Sequence, residues 1–454
     1  MTTRRVALAA VLIGVLLTLG GRIGAQDRPG AVEWMWSGGV TARAATIKAR
    51  VRGSAGEVFL LYGTQPALRD DSSRRVAARA HPGGLVSFEL RDLAPDTPYF
   101  YAIDAGEGRS ASGEFRTHAE GPMSFAFAMS ACAGGHLFSS VSNAPVFSVI
   151  EGRRPLFFLH MGDLHYSNIG RNEVSAFARA YDRVLTQPRQ ASLFRRVPIL
   201  YVWDDHDYGP DDSDRTSPSR EASRAAYAEH VPHYPLVTEE GRVTTIQQEA
   251  TVGRVRFLVT DLRSERDPVG QPDGPDKSLL GARQRAWFDE ALTRAAADDV
   301  PLVFWANTLP WITREGDRSH GWEPYAWERR WLADRIEALG LTRRLVVLSG
   351  DAHMLAIDDG RHSNYSSTAR PGVAGFPVFH AAPLDRSPSL KGGPYSRGAS
   401  ARNHQFGWVE VRDDGREVRV TLSGHDAEGA EVRGMRLRLG CREGACAAEP
   451  AEAR

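Results

Sequence analysis

PILYVWDDHDYG, residues Pro198–Gly209, is the stretch whose reading decides the fold. Ile199–Trp203 is a short apolar, β-favouring run that ends at once on four potential cation ligands, Asp204, Asp205, His206 and Asp207. The construction recurs. PLFFLHMGDLHY (Pro155–Tyr166) ends in Asp163, His165 and Tyr166, RRLVVLSGDAHM (Arg343–Met354) in Asp351 and His353, and SFAFAMSAC (Ser124–Cys132) in Cys132. Continuous apolar runs predict strands buried on both faces. Ligands released at strand carboxyl ends are how an α/β enzyme gathers distant chain segments into one site. A lone aspartate there is ordinarily a turn residue, and a lone cysteine a small buried hydrophobe. Four strand ends built alike predict a multinuclear metal site for phosphoester hydrolysis.

That chemistry needs a nucleophilic hydroxide at moderate pH, neutralised phosphoryl oxygens and help for the leaving alkoxide. Paired cations roughly 3.5–4 Å apart supply all three. A shared carboxylate is the natural bridge, and Asp163 is the candidate. Hard cations such as calcium or magnesium want oxygen donors, which Asp205, Asp207 and Asp351 offer. A thiolate and a phenolate, Cys132 and Tyr166, point to a more Lewis-acidic ion, ferric iron or zinc.

Around these motifs the 454 residues divide in two. From about Ala31 to Thr117, ATIKARV, EVFLLYG, LVSFELRDLAPDTPYFYAIDAG and SGEFRTH alternate between Gly/Pro/Asp turns and predict a β-sandwich over 31–118. Leu90–Ala102 resembles fibronectin type III domains. After AEGP (Ala119–Pro122) strands alternate with amphipathic helices, predicting a catalytic domain over 121–440 and a tail over 441–454. Strands are expected at Phe125–Met129, Leu156–His160, Ile199–Trp203, Val255–Thr260, Leu302–Ala306, Leu345–Leu348 and Trp408–Arg412. Val174, Phe177, Ala178, Tyr181 and Leu185 repeat at helical spacing, as do Trp327, Trp331, Leu332, Ile336 and Leu339, and both stripes are read as core. Gly209–Ser219 and Asp267–Leu279 are long polar loops of the kind that carry function.

Lys+Arg and Asp+Glu balance at 56 each, so overall charge provides no case for nucleic acid or anionic membrane as the main partner. The start, MTTRRVALAAVLIGVLLTLGGRIGAQD, joins an arginine pair to an apolar run shorter than the roughly 20 residues that span a bilayer. Residues 1–25 are therefore expected to be a signal peptide, of twin-arginine or Sec type, leaving a periplasmic or extracellular protein with no membrane segment after cleavage. Cys441 and Cys446 could close a small disulfide outside the cytoplasm, leaving Cys132 unpaired.

Gly121 to Leu439 resembles the PhoD-type alkaline phosphatases of the calcineurin-like metallophosphoesterase superfamily, and the preceding β domain resembles that family's N-terminal domain. Ser130-Ala131-Cys132 stands in the superfamily's first block, with the cysteine found in PhoD-type sequences. GDLHY supplies Asp163 and Tyr166, WDDH supplies Asp205 and His206, SGDAH supplies Asp351 and His353, TDLRSERD resembles a further family stretch, and Asn307 lies where the superfamily often has a metal-binding histidine. The resemblance implies an α+β protein with a four-layer αββα domain. It implies Fe3+ on Cys132, Asp163, Tyr166 and Asp351, and Ca2+ near Asp163, Asp205 and His353, with Zn2+, Mn2+ or Mg2+ as alternatives. His206 would stabilise the transition state or protonate the leaving oxygen, and Arg263 would contact phosphate or else pair with a neighbouring carboxylate. The family's WDDHE is here WDDHD, followed by the acidic GPDDSD of Gly209–Asp214, so Asp207, Asp211 or Asp212 could join the calcium shell. The expected enzyme is a monomeric, metal-dependent alkaline phosphatase acting on small phosphomonoesters, with phosphodiesters second and no stable nucleic-acid complex. A second reading is a catalytically weak, metal-containing protein that docks to a cell-surface polymer.

Overall fold

Strand β1, Val32–Gly38, belongs to two cores at once because its side chains alternate: Met35 packs among the strands around it, while Trp34 and Trp36 pack against helices on the other face. The computed structural model describes residues 31–53, 56–69, 71–105, 108–135, 139–314, 316, 320–442 and 445–449; the expected signal peptide lies outside them. Strands β2 (Ala45–Val51), β3 (Glu57–Gly63), β4 (Arg74–Arg79), β5 (Leu85–Leu90), β6 (Pro98–Asp104) and β7 (Gly113–Arg116) follow. β1, β2 and β5 form one face of a sandwich and β4-β3-β6-β7 the other, closed over Ile47, Leu60, Phe88, Tyr101 and Phe115.

The sandwich is stitched to the rest of the chain by three cationic or aromatic groups that reach helix carbonyls and carboxylates. Lys48 Nζ donates to the Glu229 carbonyl (2.9 Å), Trp36 Nε1 to the His230 carbonyl (2.9 Å), and Arg50 pairs with Asp182 (2.7 Å). A cation at the last carbonyls of a helix also meets the negative end of its dipole. Gly38 further pairs with Ile199, so that three sandwich strands continue a larger sheet.

Beyond residue 121 the elements are β8 (Phe125–Ser130), α1 (Val146–Gly152), β9 (Phe158–Met161), α2 (Val174–Leu185), α3 (Pro188–Arg196), β10 (Ile199–Val202), α4 (Asp205–Tyr208), α5 (Arg220–His230), β11 (Val237–Glu239), β12 (Arg242–Thr245), β13 (Gln248–Val252), β14 (Val255–Val259), α6 (Ala282–Ala297), β15 (Leu302–Ala306), α7 (Ala326–Ala338), β16 (Leu345–Ser349), β17 (Leu355–Asp358), β18 (Val378–Ala381), β19 (Ala399–Ser400), β20 (Phe406–Asp413), β21 (Val418–His425), β22 (Glu431–Arg442) and β23 (Ala445–Ala448). One sheet runs β23-β22-β21-β20-β8-β9-β10-β1-β2-β5 and a second runs β13-β14-β15-β16-β18-β17-β19. The fold is α+β, a β-sandwich followed by a layered α/β domain.

Period-two alternation explains the layers. In β14, β15 and β16, Phe257, Phe304 and Val346 face the first sheet, while Leu258, Trp305 and Val347 face α6 and α7 through Phe288, Leu292, Leu332 and Ile336. Between the sheets, Phe127 lies 4.8 Å from Phe157 and 5.4 Å from Phe257, and Phe257 lies 5.1 Å from Phe304, ring centre to ring centre. Truncating one such buried ring to alanine costs about 3–5 kcal/mol. This cluster joins the two sheets face to face.

One expectation changes. Residues from 441 onward were expected to form a tail, but β22 runs to Arg442 and β23 pairs with it, Cys441 opposite Cys446 and joined to it by a disulfide. Through β1 and β10 the sandwich and the following domain share a sheet.

Candidate metal centre

Three strands end in the same way. The residue two positions past β8, β9 and β16 is Cys132, Asp163 and Asp351, and each has left-handed backbone, φ 61°, 57° and 54°. His353 follows at φ 50°. Such a conformation costs an L-residue about 1–2 kcal/mol, so it persists only where surrounding contacts impose it. Here the contacts are backbone bonds between strand ends: Cys132 N–H donates to the Gly162 carbonyl (3.0 Å), Ala133 N–H to Asp163 (2.7 Å), and Asp385 N–H to Cys132 (3.0 Å). The glycine before each aspartate is required by crowding. A Cβ on Gly162 would stand 2.4 Å from that of Asp204, and one on Gly350 2.7 Å from that of Ala131.

These reversals, with the turn into α4 after β10, bring side chains from four strand ends toward one another. Cys132, Asp163 and His353 place ligand atoms within 4.8 Å of each other, as do Asp163, Asp205 and His206. Asp163 belongs to both groups. Tyr166 joins them, its hydroxyl donating to Asp163 Oδ2 (2.7 Å) and lying 3.4 Å from His353 Nε2. The ring is seated against Gly134, where a Cβ would come within 2.0 Å of it. His353 Nδ1 donates to the Ser387 carbonyl (2.8 Å), leaving Nε2 as the atom aimed at the cluster. His206 is held likewise: Nδ1 lies against Asn168 Oδ1 (2.5 Å), and Nε2 lies 3.4 Å from Asp211.

The electrostatics suit cations. Burial, then Asp205, Asp204 and Asp207, hold the Asp163 carboxyl well above the usual carboxylate range. Burial, then Asp163 and Asp351, push the Cys132 thiol up, and burial with Asp163 does the same to Tyr166. Asp163 Oδ1 is buried and has no hydrogen-bond partner among the described residues. Acidic groups packed this closely cannot all ionise without positive charge beside them. The thiol, phenol, imidazole and carboxylate donors therefore fit metal ions.

Some residues stand differently from expectation. Arg263, expected to contact phosphate, is fully buried behind the cluster: its Nε is bonded to Asp204 and its Nη2 lies 3.7 Å from Asp205, so it has no exposed face for an anion. Burial opposes ionisation of Asp205, yet Arg263 and His206 pull its pKa down to about 2. His353 groups with Cys132, and His206 with Asp205, whereas the resemblance had put His353 beside Asp205. Asp351 is engaged by Lys391 (3.2 Å) and lies 3.9 Å from His320. Asp207 braces backbone, accepting from the N–H groups of His165 (3.0 Å) and Asp204 (3.2 Å). Asn307 is buried, with Oδ1 accepting from Trp322 Nε1 (3.1 Å). Asp212 N–H donates to Asp205 Oδ2 (2.7 Å). Sequence reasoning missed Arg386, whose guanidinium carbon lies 3.8 Å from the Tyr166 ring centre, together with Lys391 and His320. They sit on irregular segments without periodicity or motif.

Comparison with known proteins supplies the family. A family model described as PhoD-like phosphatase matches residues 127–427. A solved structure titled "Structure of PhoD" is similar at 15% identity and a TM-score of 0.73, covering 93% of this chain and 92% of that one. The sensor domain of the anti-sigma factor RsgI4 from Pseudobacteroides cellulosolvens covers 20% of this chain and 97% of its own, at 22% identity and a TM-score of 0.18. No curated protein matches.

Proposed function

Because the chain belongs to the PhoD-like phosphatase family and is thus a phosphoesterase, we propose that it is a metal-dependent alkaline phosphatase that hydrolyses phosphomonoesters, and phosphodiesters less well. The observation that carries this reading is the shared carboxylate: Asp163 stands in both three-residue groups. Cys132, Asp163, Tyr166 and His353 would hold one cation, which the thiol and phenol suggest is ferric iron, with zinc as the alternative. Asp163 and Asp205 would hold a second, with calcium, magnesium or manganese suited to the oxygen donors. Asp351 lies within electrostatic reach of both Cys132 and Asp205 and would complete the shell once Lys391 yields. When bound, the cations lower the pKa of water and neutralise charge on the phosphoryl oxygens.

The chain's own residues do the rest. Asp204 holds Arg263, and Arg263 stabilises the Asp205 carboxylate, so the ligand is ionised before a cation arrives. Asn168 fixes the His206 ring so that Nε2 can carry the proton given to the leaving oxygen. The disulfide of Cys441 and Cys446 supports an exported protein, periplasmic or extracellular. No helix among the described residues is long and apolar enough to cross a membrane. The division into a sandwich over 31–118 and a catalytic domain from 121 belongs to the same proposal, supported by the separate core around Ile47 and Phe88. Turnover of p-nitrophenyl phosphate and bis-p-nitrophenyl phosphate tests the reading. Faster hydrolysis of the monoester supports it, and turnover of neither overturns it in favour of a surface-docking protein.

A further inference from the structure

The geometry points to Arg386 as the residue that grips the substrate's phosphate, in place of Arg263, and to a dianionic phosphomonoester as the group it selects. This rests on the phosphoesterase reading above. A transferring phosphoryl group carries charge on oxygens that two cations do not fully cover, and a guanidinium fork is the side chain that matches them. Two nearby cations are already engaged. Arg263 is fully buried against Asp204 and Asp205, and Lys391 is on Asp351.

Arg386 differs in each respect. It is half-buried and forms no ion pair among the described residues, and its Nε is shielded from water without a hydrogen-bond partner. Its charge rests on the face of Tyr166, whose ring centre is in turn 4.1 Å from that of His206 and whose hydroxyl is 3.4 Å from His353. A partly dehydrated guanidinium without a counter-anion is costly, and a bound phosphate supplies the anion.

The position is built rather than incidental. Asp385 accepts from Ser142 Oγ (2.7 Å), Asn403 Nδ2 (3.2 Å) and His404 Nε2 (3.1 Å), and donates its N–H to Cys132. Arg386 N–H donates to Asn403 Oδ1 (2.9 Å), and the next carbonyl, Ser387, receives His353. The segment is therefore pinned on both sides of Arg386 to elements that carry the ligands. A monoester presents an additional unesterified oxygen to this fork, which a diester lacks.

Wild type, Arg386→Lys and Arg386→Met, checked for folding by circular dichroism and for metal content, are titrated with inorganic phosphate by calorimetry and assayed on p-nitrophenyl phosphate and bis-p-nitrophenyl phosphate. In Arg386→Met, phosphate should bind about 10–100-fold more weakly with metal content unchanged. KM for the monoester should rise to match, the diester should be affected less, and Arg386→Lys should recover part of the loss. Unchanged phosphate affinity overturns the inference, and so does a loss of affinity that tracks a loss of metal, which would make Arg386 a support for Tyr166. Equal losses on both esters overturn the choice of substrate class. A wild type that hydrolyses neither ester instead overturns the phosphoesterase reading, with the phosphate titration still deciding whether Arg386 binds the anion.

Discussion

Tyr166 donates its hydroxyl hydrogen to Asp163 Oδ2 across 2.7 Å, while Asp163 Oδ1, equally buried, has no partner among the described residues. One carboxylate thus has a committed oxygen on the side of Cys132 and His353, and belongs also to the group of Asp205 and His206. A buried carboxylate oxygen left open costs about 1–3 kcal/mol or more. Its retention is explained if cations take that place, and this makes Asp163 the residue on which both halves of the site depend.

Asp163→Asn and Asp207→Asn should accordingly fail in different ways. The first should release metal and activity together while the fold persists. The second turns one of the two Asp207 oxygens that accept the His165 and Asp204 N–H groups into an amide donor and should lower stability by about 1–3 kcal/mol, with metal affinity reduced only as the strand ends loosen. Metal content and thermal melting of both variants separate these roles, and identical metal loss at equal stability would remove the distinction.

His206→Ala should reduce turnover by about 10²–10⁴-fold with metals retained. The loss should be smaller for p-nitrophenyl phosphate, whose leaving group needs little protonation, than for an alkyl phosphate. His206 also lies within ligand distance of Asp163 and Asp205. Metal released by the substitution would therefore assign it to the shell and reject the acid role.

Gly134→Ala tests how Tyr166 is held. The added methyl would meet the ring at 2.0 Å, and overpacking of this kind costs about 1–3 kcal/mol. The expected result is a lower melting temperature and weaker metal retention. If iron is bound through Tyr166, a charge-transfer band should colour the wild type and fade in the variant. Wild-type metal retention would show that the ring can move without consequence.

Stability should fall on acidification across a defined window. Burial lowers the pKa of His118 to about 4, despite its hydrogen bond to the Thr251 carbonyl, against about 6.5 when unfolded. Between those values the unfolded chain binds the additional proton, so the contribution of His118 is present above pH about 6.5 and is lost as pH falls toward 4, by up to about 3 kcal/mol. His118→Gln should flatten this part of a denaturation-against-pH curve by roughly one proton. An unchanged slope would mean that His118 is not held neutral.

The strands were legible because each is an apolar run. Phe125–Met129 and Leu302–Ala306 coincide with β8 and β15 to within a residue, and the sandwich segments match β2, β3 and β5–β7. β17 and β18 were missed, since their short apolar runs lie beside histidine and aspartate that read as loop, and β21 was passed over although Val418, Val420 and Leu422 alternate as strand residues do. Candidate ligands were legible where a run ended on them, as at Asp163 and Asp205. Whether Arg263 meets phosphate or a carboxylate was not legible, because TDLRSERD says nothing of burial and the partner Asp204 is 59 residues away in sequence. Arg386 and Lys391 reach the cluster only through tertiary packing of a segment that has no pattern of its own.

Metal analysis of the purified protein, run beside p-nitrophenyl phosphate turnover before and after EGTA, tests the central claim most directly. The account expects about two cations per chain, loss of turnover on chelation and its return on adding calcium. Full turnover by a chain that carries no metal would contradict it.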